Sequence, residues 1–144
     1  MLRLAEGFER DRRIAVAGAI SNLYMAEESL RHFRNVLSNL KERRIELLKK
    51  GTDIVEISDN YLGELAAEAK IASGEIKVDG CQKMVDERRE ELAERMRERK
   101  TYERLRERAR KQHDVETGRE EIKIVDDIAG IAFARKRAGE KVGR

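Results

Sequence analysis

Through the first third of the chain, apolar residues return alternately every three and every four positions. The series is Val16, Ala19, Leu23, Ala26, Leu30, Phe33, Leu37, Leu40, Arg44, Leu47, Gly51 and Ile54, and ten of these twelve positions are apolar. Side chains at that mean spacing stay on one stripe of an α-helix, and several heptads of it form the seam of a coiled coil. Arg44 is the one charged intruder, and its long stem can carry the guanidinium out of the seam. The pattern predicts a first helix over residues 3–50.

Lys49 and Lys50 followed by Gly51 read as a helix C-terminus: cations at the negative dipole end, then a residue free to turn left-handed. The β-branched run that follows, Thr52-Asp53-Ile54-Val55-Glu56-Ile57, favours helix poorly. Ser58 or Asp59 can cap the next helix, so the turn is expected at residues 51–59. Ser73 to Gly80, with two more glycines, is expected to be kinked or loosened but not to reverse the chain.

From residue 60 to about 138 the reading is a second, longer helix. Its first apolar stripe is Tyr61, Leu62, Leu65, Ala69, Ala72 and Ile76. Asp86 to Lys111 follows, with 19 of 26 residues charged. Glu91–Arg95 and Glu107–Lys111 stand at i,i+4, and Asp86–Arg89, Glu94–Arg97, Glu103–Arg106 and Glu107–Arg110 at i,i+3. Each such pair contributes about 0.2–0.5 kcal/mol of helix stability. The last segment is apolar again at Val115, Ile122, Ile124, Val125, Ile128, Ala129, Ile131 and Phe133, and residues 139–144 are expected to fray.

The prediction is an all-α chain, a single antiparallel two-helix coiled-coil hairpin with the second helix longer than the first. At about 1.5 Å per residue the helices measure about 70 Å and about 120 Å. Folding back at 51–59 pairs Leu4 with about residue 106 and leaves the stretch beyond about 110 without an internal partner. An unpartnered apolar stripe is a candidate binding surface.

Composition agrees. Charged residues are 42% of the chain, aromatics 4%, and there is neither Trp nor Pro. An excess of charge goes either with disorder or with long helices that bury only a narrow stripe. The net charge of only +3 and the recurring aliphatics favour helices. By segment the balance is +4 over 1–50, −4 over 51–85, +3 over 86–111 and zero over 112–144, so the acidic middle sets the turn end apart. No single-sign block forms a nucleic-acid arm, and no aromatics stand ready to stack on bases.

The apolar run Ile14 to Ile20 is too short for a membrane span, and no signal peptide is evident, so a cytoplasmic protein is expected. His32, His113 and the single Cys81 make no metal-binding spacing. The glycines at 51, 63, 74 and 80 are isolated and form no phosphate loop. Carboxylates on exposed helices have nothing to hold them at a catalytic separation. Neither an enzyme nor a cofactor is predicted.

Tyr102 to Ala129 reads YERLRERARKQHDVETGREEIKIVDDIA. This stretch resembles the C-terminal signature of the flagellar FliJ family, a coiled-coil stalk component of the type III protein export apparatus. The signature is a basic, Leu-containing helix leading into an acid-x-Lys-x-x-Asp-acid-x-Ala ending, here Glu121, Lys123, Asp126, Asp127 and Ala129. The usual Gln before the Lys is Ile122, and Asp127 stands where Glu is common. The rest agrees in plan: a helix of about 50 residues, a short loop, and Tyr61-Leu62-x-x-Leu65 opening the long second helix.

The resemblance implies a cytoplasmic hairpin, similar to the central stalk of rotary ATPases and acting at the membrane-associated export apparatus. It implies three partners: the hexameric export ATPase, the cytoplasmic domain of the export gate, and export chaperones that the stalk escorts. It carries the gate contact to Tyr61 and Leu65, and further partner contacts to the motif positions Glu121, Lys123, Asp126, Asp127 and Ala129. The alternatives are the equivalent stalk of a virulence secretion system, a generic coiled-coil scaffold and a nucleic-acid-binding hairpin.

Overall fold

The structure, a computed structural model, describes residues 1–142. Two helices account for almost all of it: α1, Leu2–Lys50, and α2, Ile54–Val142. No strand occurs among the described residues. The architecture is the expected all-α hairpin with the second helix longer. The chain divides into two units, a hairpin unit of Met1 with Arg3–Glu98 and a second unit of Leu2 with the chain from Arg99 onward.

The reversal is tighter than the sequence suggested. Only Gly51–Asp53 separate the helices, where nine residues, 51–59, were expected. Gly51 takes the left-handed conformation, φ 62° and ψ 38°, which costs a residue with a β-carbon about 1–2 kcal/mol. Its N–H donates to the Leu48 carbonyl at 3.4 Å, and the Thr52 N–H donates to that of Leu47 at 3.3 Å. This is a Schellman closure of α1. The Thr52 hydroxyl adds a second donor to the Leu47 carbonyl at 3.2 Å.

The second helix starts at Ile54, not after Ser58 or Asp59. The Asp53 carbonyl accepts from the N–H groups of Glu56 at 3.2 Å and Ile57 at 3.4 Å, so the first turn forms at once. The reluctance of β-branched residues is only tenths of a kcal/mol each and yields to continuous main-chain bonding. At the other end α2 continues through Gly139 to Val142; residues 143 and 144 lie outside the described residues.

Within the hairpin the α1 seam follows the predicted spacing. Ala19, Ala26, Leu30 and Leu47 are buried, and Val16, Leu23, Phe33, Leu37, Leu40 and Arg44 are half-buried. Gly51 and Ile54 fall outside the seam and are exposed. The stripe extends back through Arg12, Glu9 and Ala5 at the same spacing.

The α2 seam differs from the expected one. Tyr61, Leu62, Leu65, Ala69, Ala72 and Ile76 are all exposed. The buried and half-buried series is instead Ile57, Asn60, Glu64, Ala67, Ile71, Gly74, Val78, Cys81, Val85, Arg88, Leu92 and Arg95, again at alternating three and four. Val85 is its most buried member, 1% exposed.

The short turn also moves the register. Phe8 lies under Arg95, whose guanidinium sits 4.7 Å from the ring centroid, and Arg12 bonds Glu91 at 2.8 Å. These contacts replace the expected pairing of Leu4 with about residue 106. Small residues let the helices approach closely. A β-carbon at Gly74 would lie 3.2 Å from Leu30 Cδ1, and one at Gly63 would lie 3.4 Å from Leu40 Cδ1. Gly74 therefore serves packing, and the helix runs through the expected loose stretch 73–80 without a break.

Some expected charge pairs are rerouted by this packing. Glu91 bonds Arg88 and Arg12 instead of Arg95, which turns to Phe8 and Glu98. In the second unit Glu107–Lys111 forms as expected at 3.2 Å, whereas Glu103 pairs with Arg99. From Arg99 to Lys141 every side chain is exposed except the half-buried Arg99, Tyr102 and Gly118.

Candidate interaction surfaces

The hairpin carries two apolar stripes on α2, and only one is used internally. The outward stripe, Leu62, Leu65, Ala69, Ala72 and Ile76, has the same alternation of three and four as a seam. Tyr61 stands beside it, one turn before Leu65. Tyr61 is 52% exposed and Leu65 44%. Side chains of this size left outward cost solvation free energy, at about 25 cal/mol per Å² of apolar surface. A run of them at helical spacing is more informative than scattered exposed leucines.

The edge of the hairpin on which Tyr61 lies is marked by the Arg34–Glu75 ion pair, 3.3 Å. Tyr61 falls two heptads before Glu75, and Leu48 two heptads after Arg34, so both occupy that edge. Leu48 and Ile45, nearly one turn apart on α1, are also exposed. The opposite edge is marked by Lys70, whose ammonium lies 5.1 Å from the Phe33 centroid. The turn end therefore offers an apolar surface with contributions from both helices. Ile45 and Leu48 were not anticipated; their 3-residue spacing directly beside the α1 seam was the available signal.

Beneath this surface the seam is polar. Arg44 Nη1 donates to Glu64 Oε2 at 3.0 Å, and Asn60 Nδ2 donates to the Leu40 carbonyl at 2.9 Å. Glu64 and Asn60 are buried, while Glu64 Oε1 and Asn60 Oδ1 accept no hydrogen bond. An unsatisfied buried acceptor costs about 1–3 kcal/mol, so this layer is a poor source of stability. It discriminates between registers. A slip of one heptad would remove Glu64 from Arg44 and set its carboxylate against Leu37 or Leu47.

In the second unit, Glu121, Lys123, Asp126, Asp127 and Ala129 are all exposed. Glu121 and Asp126 line one shallow groove with Gly118, Ile122 and Val125. Lys123 and Asp127, one turn apart, do not line it. The surrounding apolar side chains Ile122, Val125, Ile128, Ile131 and Phe133 are each more than half exposed.

His32 and His113 are exposed, and Cys81 is half-buried in the seam. Among the described residues no three His, Cys, Asp or Glu side chains gather as a metal-binding group. No helix among them is long and apolar enough to cross a membrane.

Compared with known families, residues 1–138 match that of the flagellar FliJ protein. The chain belongs to the flagellar FliJ family. The match runs through both helices and includes both apolar surfaces, Tyr61–Ile76 and the motif positions 121–129. No curated protein and no solved structure matches the chain. The family supplies a stalk component of flagellar type III export, a structural part and not a known enzyme, which accords with a coiled coil.

Proposed function

We propose that this chain is the cytoplasmic stalk that links the export ATPase hexamer to the cytoplasmic domain of the export gate, and that it escorts export chaperones. The family match favours the flagellar system over its virulence counterpart. The observation that supports a linking role is the outward stripe beside the turn. Tyr61 and Leu65 are absent from the seam, so their apolar surface is available to another protein. We assign the gate contact to Tyr61 and Leu65, flanked by Ile45 and Leu48. Glu121, Lys123, Asp126, Asp127 and Ala129 are assigned to the remaining export partners. A coiled-coil hairpin suits the task because its stiffness comes from a seam that leaves the outer faces free.

The test is a pull-down of the gate's cytoplasmic domain by the full chain and by Tyr61→Ala plus Leu65→Ala. Loss of two apolar anchors is expected to weaken binding by about tenfold or more, with the melting curve unchanged because neither residue is in the seam. Unchanged binding would overturn the assignment. A wild-type chain that bound neither gate nor ATPase would overturn the reading itself.

A further inference from the structure

The exposed stripe of the second unit has a charge pattern that matches itself. Val115, Gly118, Ile122, Val125, Ala129 and Ala132 recur at alternating three and four. All are exposed except the half-buried Gly118, and no part of the second unit covers them. The positions flanking this stripe on one side are Gln112, Arg119, Asp126 and Phe133, and on the other Asp114, Glu121, Ile128 and Arg135. Upstream in the same unit some charges pair along the helix, as in Arg99–Glu103 and Lys111–Glu107, while Arg104, Arg106, Arg108 and Arg110 do not. Arg119, Asp126 and Arg135 form no ion pair among the described residues.

We propose that residues 112–135 bind the same segment of a second copy of the chain as a two-fold antiparallel coiled coil. The occupant follows from the pattern. When two copies of the stripe run antiparallel, Ile122 of one copy meets Val125 of the other, Gly118 meets Ala129, and Val115 meets Ala132. Large residues fill the centre, and a small pair lies on either side of it. Flanking positions meet their own kind across an antiparallel seam. Arg119 then faces Asp126 of the other copy, and Asp114 faces Arg135. Two-fold symmetry makes each pair twice, the self-complementarity that a closed dimer requires. Glu121 comes opposite the apolar Ile128 and meets no like charge.

A parallel pair fares worse. It would keep Asp114 against Arg119 but set Glu121 against Asp126, two carboxylates at the acidic rims of the groove over Ile122 and Val125. Like charges so placed disfavour that alignment. Pairing also supplies what a lone helix in water lacks, since helices derive most of their stability from packing an apolar face. The association goes beyond the stalk reading and does not depend on it. While paired, the stripe is closed to any other partner.

Sedimentation equilibrium of the full chain tests this, with circular dichroism on each variant to confirm helix content. The wild type is expected to pass from monomer to dimer as concentration rises. Arg119→Asp changes two pairs at once and is expected to weaken association by roughly tenfold, about 1.4 kcal/mol. Combining it with Asp126→Arg restores association, as does mixing the Arg119→Asp chain with an Asp126→Arg chain. Val125→Asp abolishes it. A chain that stays monomeric at every attainable concentration overturns the proposal. So does a dimer indifferent to Arg119→Asp, a charge swap that fails to restore it, or a dimer lost on Tyr61→Ala plus Leu65→Ala.

Discussion

The hairpin unit and the second unit use the same materials to different ends. Both are helix, both are rich in charge, and both carry apolar residues at alternating three and four. In Arg3–Glu98 one such stripe meets its partner and buries Leu30, Ala67 and Val85. From Arg99 onward the stripe meets nothing within its unit, and Ile122, Val125 and Phe133 stand in solvent. Periodicity therefore marks a surface that seeks a partner. Whether the partner lies in the same chain is decided by where the chain turns, and here the early reversal at Gly51–Asp53 makes α2 89 residues long against 49 for α1.

Equivalent substitutions in the two units should break this comparison most sharply. Val85→Asp places a carboxylate at the most buried seam position, and should lower hairpin stability in urea melts by about 3–5 kcal/mol. Val125→Asp, at 63% exposure, should change the same melt by less than about 0.5 kcal/mol when both chains are diluted until monomeric. Equal effects would mean that the two stripes are not in different environments.

A smaller contrast lies within the hairpin. Arg44→Ala leaves the Glu64 carboxylate buried and unpaired, and should cost about 2 kcal/mol. Replacing Arg44 and Glu64 together by leucine should recover most of that loss, because a polar layer contributes register more than stability. Arg34→Ala breaks a pair that is exposed on both sides and should stay within about 0.5 kcal/mol. Urea melts of the four chains check all of this. A double leucine variant no more stable than Arg44→Ala would contradict the description of the layer.

Much of the fold was legible. The α1 seam was read nearly residue for residue, since eight of its apolar members from Val16 to Leu40 hold a strict spacing. The C-terminal glycine was read because Gly51 follows two lysines and local chemistry decides it. The α2 seam was misread for a physical reason. Its true positions include Asn60, Glu64, Gly74, Arg88 and Arg95, which hydropathy marks as solvent-facing, while the more apolar Leu62–Ile76 stripe lies outside. Burial of Glu64 depends on Arg44, twenty residues away, and no local pattern carries that pairing. Tyr61 and Leu65 stood in the predicted apolar stripe, and the family resemblance carried the gate contact to them; both are exposed. The turn length was overestimated because propensity was weighed over main-chain bonding at Asp53.

The chain is a hairpin closed by one seam up to Glu98, and beyond Tyr102 α2 packs on nothing within its unit. Hydrogen exchange of the free full chain, diluted until it is monomeric, tests it most directly. Amides along residues 16–47 and 57–95 should exchange slowly and as one cooperative block, while those from 103 to 141 should exchange many times faster despite being helical. Uniform protection along the whole of α2 would contradict the account.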